Sequence, residues 1–334
     1  MAESVKSWRS IIKIALPIVL GGAILWWMYR GMDWATLSVS LTSGMDWTWM
    51  WLSLPFGVLA QVFRGIRWRQ VLRPIGEHPR LSTSIYAIFL SYASSLVVPR
   101  VGEVLRCGVL KRYDGVSFSR SVGTVVTERV VDMAIIAVLS IVVFLFQVPV
   151  FMDFFTRTGT SVSGFLGQFT ATGWLVTAIC LFALGVFVAF MLRRFQFLTR
   201  TRSIVHELKQ GLLSITKVDG IGLFLFNSLA IWVCYFLHFY LTFFCFASTA
   251  DLGVNVAAVA FVIGTFAVLV PTPNGAGPWH FAVKTVLMLY GVNGEEGAIF
   301  ALVVHTVQTL LVALLGLYAV GALALTKASN NTTS

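Results

Sequence analysis

Charge is scarce in this chain. Only 11% of its 334 residues are Asp, Glu, Lys or Arg, against roughly 25% in a soluble domain. So little charge cannot cover a water-facing surface, which excludes a soluble globular fold. Polar stretches are short as well. None exceeds about 25 residues, which leaves no room for a separate soluble catalytic domain. The four cysteines (Cys107, Cys180, Cys234 and Cys245) lie in or beside apolar runs without CxxC spacing. Packing is their expected role, not a disulfide framework or a thiolate metal site. The sequence contains no HExxH, no GxSxG and no glycine-rich nucleotide loop. Asp33 and Asp46 in the first loop form no close acidic pair. The expectation is therefore a non-enzyme with no cofactor and no metal.

What fills the chain is apolar: 57% hydrophobic residues and a mean hydropathy of +0.85. Runs such as Ile11–Met28 and Met133–Phe146 hold at most one charge each. In lipid every backbone polar group must be satisfied internally, so such runs are helices or strands of a closed barrel. Barrel strands alternate over about ten residues, whereas these runs are continuous and longer. The expected fold class is an all-α polytopic membrane protein.

A hydropathy window of about 19 residues gives apolar segments at 11–29, 47–63, 82–98, 118–147, 171–192, 219–248, 254–270 and 298–326. The first follows Lys6, Arg9 and Lys13 like a signal peptide, but lacks a small-residue cleavage site. Trp26, Trp27 and Tyr29 read instead as an interfacial belt on a retained helix. The formal charge of +10 is distributed unevenly. With a cytoplasmic N-terminus, all of the 24 Lys and Arg except Arg30, Arg129, Arg157 and Lys284 fall on the cytoplasmic side, as the positive-inside rule requires. The C-terminus is then cytoplasmic too, and 194–217 lies along the cytoplasmic interface.

That orientation leaves basic flanks on both sides of 82–98, which suits a re-entrant hairpin (82–106) better than a crossing. Segment 254–270 runs into Pro271-Thr-Pro-Asn-Gly-Ala-Gly-Pro278, a string that no continuous helix tolerates. It predicts a second hairpin, 254–291, entering from the opposite side. The chain then reads as one membrane domain with two half-repeats, 47–147 and 219–326. It has about six transmembrane helices and two hairpins in an inverted repeat, a pattern that marks substrate sites in transporters. The alternative is eight plain crossings with some strongly basic loops outside.

Three constellations carry candidate chemistry. In Pro99-Arg-Val-Gly-Glu-Val-Leu-Arg106, a helix start with free N–H groups beside Arg100 and Arg106 suits a phosphate. Glu103 there caps the helix, pairs with Arg106 or takes a proton. In Thr127-Glu-Arg-Val-Val-Asp132, Glu128 and Asp132 share a helix face, while Arg129 reaches Asp132 but turns away from Glu128. Charges near a span pair with one another or line a wet cavity; a structural pair to Arg100 or Arg106 is equally open. In the Pro271–His280 loop, Asn274 is a candidate binding residue, Gly275 and Gly277 allow close backbone approach, and His280 is able to switch charge near neutral pH. His238 and His305 are expected to be structural. Arg64, Arg67 and Trp68 form a basic–aromatic cluster suited to anionic lipid head groups.

In combination, Arg64-x-x-Arg67-Trp68, Pro99-Arg-x-Gly-Glu-x-x-Arg106, Glu128-Arg-x-x-Asp132 and the late Pro/Gly loop resemble the lysylphosphatidylglycerol synthase transmembrane-region family. That family includes the flippase half of multiple peptide resistance factors and stand-alone flippase-like proteins, and the similarity runs from about residue 45 to 325. The resemblance implies a bacterial inner-membrane location and translocation of a lipid between leaflets. His280 stands where the family's loop is followed by Glu. No aminoacyl-transferase domain lies in these residues, so lysylphosphatidylglycerol synthesis is not expected. Membrane lipid is the expected partner and nucleic acid is not; protons as a coupling ion and a second copy of the chain are allowed. Two other classes stay open: an ion-coupled transporter of a small polar solute, and a non-transporting membrane partner of a lipid- or glycan-modifying enzyme.

Overall fold

The computed structural model describes residues 18–158, 218 and 220–326. The expected span 171–192, the interfacial segment 194–217 and the residues before 18 lie outside them. Apart from one isolated bridge between Met45 and Phe246, the regular structure described is helical. The helices are α1 (Ile18–Tyr29), α2 (Trp34–Val39), α3 (Trp47–Leu72), α4 (Leu81–Ser95), α5 (Val101–Asp114) and α6 (Phe118–Thr158). After the break come α7 (Ile221–Tyr240), α8 (Ala247–Ala250), α9 (Gly253–Ala267), α10 (Pro278–Leu289) and α11 (Gly294–Leu325). Three stretches, Phe118–Gln147, Ile221–Cys245 and Gly294–Leu325, are long and apolar enough to cross a membrane. This is an all-α membrane protein.

Local chemistry sets the boundaries. Asp33, Asp46 and Asn293 accept backbone N–H bonds at the starts of α2, α3 and α11, where the first turn leaves donors without partners. Gly76 and Gly115 take left-handed conformations that end the turn after α3 and α5. At 1.5 Å per residue, the 15-residue α4 and α9 are too short for a bilayer core of about 30 Å. Each folds back against its successor, α4 on α5 and α9 on α10. Gly102 permits the first of these contacts: a Cβ there would fall onto the Ser91 carbonyl. Arg100 and Asn274 have φ of 65° and 51°, and each follows a proline in the turn between its two short helices.

The core has two parts. One gathers Phe239, Phe243 and Phe300 with α9 and α10; the other gathers Trp68, Leu72, Ile88 and Leu110. Helices α3 and α7 pack along their lengths and run antiparallel. Asp46 N, at the start of α3, donates to Cys245 O beyond the end of α7 at 2.9 Å. Asn227, near the start of α7, donates to Gln70 near the end of α3 at 2.7 Å.

Three expectations need correcting. The apolar segment expected to end at 63, with a basic flank after it, instead runs on, because α3 continues through 64–72 to Leu72. Arg64, Arg67 and Trp68 are 2%, 0% and 0% exposed, so they form no surface patch for lipid head groups. Their charges find carboxylates inside the protein, which removes the reason to leave it. Tyr29 is also interior, with its hydroxyl donating to Ala298 O at 3.2 Å, while Trp26 and Trp27 remain exposed.

Candidate functional site

The charged residues of α3, α5 and α6 converge on one buried cluster. Asp132 accepts from Arg64 at 2.6 Å and lies 2.8 Å from Arg67. Glu128 lies 2.8 Å from Arg106 and 3.6 Å from Arg67. Residues 64 and 67 are three apart on α3, and 128 and 132 four apart on α6. Each pair therefore shares a helix face, and the two faces meet. Arg106 also stacks over the Trp68 ring at 4.5 Å, and Trp68 Nε1 donates to Thr124. Buried charges survive only when paired, and here four guanidiniums meet three carboxylates. The outermost link is Arg129, half-exposed, 3.0 Å from Glu103 and 3.7 Å from Asp132.

The second half holds a neutral counterpart. His305 Nε2 donates to the Asn274 carbonyl at 3.1 Å, so its Nδ1 is free to accept from the Thr309 hydroxyl at 3.4 Å. The Asn274 amide in turn donates to Thr309 at 2.8 Å. His280 is 3% exposed, accepts the Gly277 N–H and lies 4.3 Å from His305 between ring centroids. It is interior, beneath α1, where Tyr29 packs edge-on against it. Gly275 and Gly277 both have positive φ; Gly277 lets the turn approach α1, where a Cβ would meet Gly21 O at 2.9 Å.

Between these clusters lie two spaces. A cavity of about 360 Å³ is walled by Arg64, Arg129 and Asp132 on one side and Tyr235, Trp279 and Gln308 on the other. A smaller one of about 170 Å³ reaches Gln61, Asn274 and His305 and shares Tyr92, Tyr235, His238 and Gln308 with the first. His238 spends its Nδ1 on the Ser53 carbonyl at 2.9 Å. A third space, an apolar groove of about 610 Å³ among α6, α7 and α9, shares Trp232 and Phe261 with the charged cavity. Among the described residues no group of three or more His, Cys, Asp or Glu is arranged to hold a metal.

The sequence placed Arg100 and Arg106 at one phosphate, with Glu103 as cap, partner of Arg106 or proton carrier; the structure separates the two arginines and pairs Glu103 with Arg129. Arg106 is enclosed with Glu128, whereas Arg100 is exposed at the turn and reaches Leu269 O on the second turn at 3.5 Å. Gly102, at the helix start, is covered by Ser91. Glu128, Arg129 and Asp132 do come together, joined by Arg64 and Arg67. Sequence reasoning did not single out Gln61, Tyr92, Trp232, Tyr235 and Gln308; it expected His238 and His305 to be structural, and both bond backbone carbonyls while lining the inner cavity. The available signal was a polar side chain inside an apolar span.

A polytopic helical membrane protein with a buried ion-pair cluster beside a surface groove is the class these features define. The family described as the lysylphosphatidylglycerol synthase TM region matches residues 14–316, and the chain belongs to it. The chain is also similar to Glycosyltransferase AglD of Haloferax volcanii, at 33% identity over 110 residues. That stretch is 32% of this chain and 18% of the relative, so the chain spans less than a fifth of that protein's length. No solved structure matches.

Proposed function

We propose that this chain is a lipid translocase of the bacterial inner membrane, moving a phosphate-bearing head group between leaflets without covalent chemistry. The observation that carries the reading is the adjacency of the charged cavity and the apolar groove, which share Trp232 and Phe261 in their walls. A lipid is amphipathic in the same sense: its head group needs paired charge and hydrogen bonds, and its chains need apolar surface. Groove residues Val138 and Leu229 are each 60% exposed, so a chain enters from the side. An enclosed cavity, suited to a small solute, lacks that side entry.

The motion in this reading is that of an inverted repeat, and the helix packing supports it. Pairing α3 with α7, α4 with α9, α5 with α10 and α6 with α11 maps most packing contacts onto one another, including α4–α11 onto α9–α6. The paired helices α3 and α7 run antiparallel, as inversion demands. The prolyl turns with Arg100 and Asn274 are equivalent, and six residues on Arg106 corresponds to His280. The termini are cytoplasmic in this reading, and energy comes from the lipid gradient or the proton-motive force.

The similarity to a protein named a glycosyltransferase favours a second reading, in which this domain serves a glycan-modifying partner without transporting lipid. Proteoliposomes loaded with fluorescent lipids of varied head group, with and without a pH gradient, separate the two. Transport predicts movement of one head-group class, lost in Arg129→Gln. No movement from a folded preparation contradicts it.

A further inference from the structure

Several polar atoms along the two cavities have no partner, among them the Tyr235 hydroxyl, which lines both cavities and is able to donate or accept. In the charged cavity Arg64 Nε and Trp232 Nε1 are buried donors without an acceptor. Arg64 is 2% exposed, and its guanidinium lies 5.8 Å from both the Tyr92 and Tyr235 rings. Deeper, Gln61 is 3% exposed, and its Oε1 is a buried acceptor without a donor. His238 lines both cavities. Its Nδ1 donates to Ser53, which in a neutral imidazole leaves Nε2 as an acceptor. The donors Arg64 Nε and Trp232 Nε1 thus line the cavity that borders the apolar groove, the acceptors Gln61 Oε1 and His238 Nε2 reach the inner one, and the Tyr235 hydroxyl serves either role.

The charge balance adds a second constraint. The carboxylate among the residues lining these cavities is Asp132, already held by Arg64 and Arg67. Arg64 and Arg129 against Asp132 leave the charged cavity one positive charge in excess, as do the four arginines and three acids of the whole cluster. A ligand ammonium there meets acceptors but no free negative charge, and a buried cation without a counter-charge is strongly disfavoured.

Building on the proposed lipid reading, we infer that the site is made for a monoanionic phosphodiester whose head group ends in hydroxyls, a polyol or sugar, and that it rejects aminoacylated, cationic head groups. The phosphate oxygens accept from Arg64 Nε and Trp232 Nε1 at the mouth of the groove. The head-group hydroxyls donate to Gln61 Oε1 and His238 Nε2, and Gln308 is placed to complete the set.

The test is competitive lipid binding to the purified full chain, read by native mass spectrometry. The probes are phosphatidylglycerol, lysylphosphatidylglycerol, phosphatidylethanol (the same charge without hydroxyls) and water-soluble glycerophosphoglycerol. Phosphatidylglycerol should exceed the lysylated lipid by tenfold or more and phosphatidylethanol by about two- to tenfold, the range of one net hydrogen bond. Gln61→Leu should abolish the second preference and keep the first; because both are ratios on one preparation, a loss of folded protein does not imitate the result. Preference for the lysylated lipid, or no discrimination, overturns the inference and leaves lipid translocation standing. Equal competition by glycerophosphoglycerol overturns the lipid as the source of the head group. Binding of none of the lipids overturns the inference and the translocase reading together.

Discussion

Replacing Glu128 by Gln removes a charge without changing shape. Glu128 is 1% exposed and sits 2.8 Å from Arg106, itself 1% exposed. Arg67, its second partner at 3.6 Å, keeps Asp132 at 2.8 Å, so the uncompensated charge falls on Arg106. Removing one partner of a buried pair costs about 3–5 kcal/mol, whereas replacing both by apolar residues is often near neutral. Glu128→Gln should therefore lose about 3–5 kcal/mol. Arg106→Met with Glu128→Leu should lose less than about 2 kcal/mol, since only the stacking on Trp68 goes with the pair. The assay is equilibrium unfolding in mixed micelles at increasing SDS fraction, with helical circular dichroism as the readout. Closing the cycle with Arg106→Met and Glu128→Leu as single variants then yields a coupling of at least about 2 kcal/mol. Single losses below about 1 kcal/mol that add in the double variant would refute the enclosure, since water would then be compensating Arg106.

Other consequences are simpler. Gly102→Ala forces a methyl into the Ser91 carbonyl; separation of α4 from α5 should cost about 1–3 kcal/mol in the same unfolding assay. Arg100 has φ of 65°, so Arg100→Gly should be tolerated while the β-branched Arg100→Val costs about 1–3 kcal/mol. Arg64→Gln should reduce lipid translocation by at least about tenfold, the worth of a charge-assisted hydrogen bond, with Arg67 and Arg129 still holding Asp132. The Asp33 carboxyl is held below its usual range by the Ala35 N–H, and that of Asp46 by Thr48. Their caps contribute above the unfolded carboxylate value and are lost as pH falls through the lowered folded values. Asp46→Ala should thus make the melting temperature less sensitive to acid, measured between neutral and strongly acidic buffer.

The helical class and the two paired short helices were legible because both rest on local rules: long apolar runs, proline at 99, 271 and 273 where a helix must stop, and proline at 278 where one starts. The acidic motif on α6 was legible for the same reason, since spacing fixes which side chains share a face. The fate of Arg64, Arg67 and Trp68 was not. A hydropathy window ends a span at the first cluster of arginines, and nothing near them in sequence reveals acids some sixty residues later. Likewise, Arg100 and Arg106 lie within one short motif, yet the helix start between them turns one outward and the other into the core. The inner cavity was hidden because it is assembled from single polar residues on α3, α4, α7 and α11, each unremarkable in its own span.

Whether one lipid fills both spaces decides the matter most directly. Two photoreactive phosphatidylglycerol analogues, one labelled at mid-chain and one on the head group, should be crosslinked to the protein and the adducts mapped by mass spectrometry. The chain label should land on groove residues such as Val138, Leu229 or Phe261, and the head-group label on Gln61, Tyr235 or Gln308. A head-group label confined to the outer surface, with the cavity unlabelled, would contradict the assignment of these spaces to a single transported lipid.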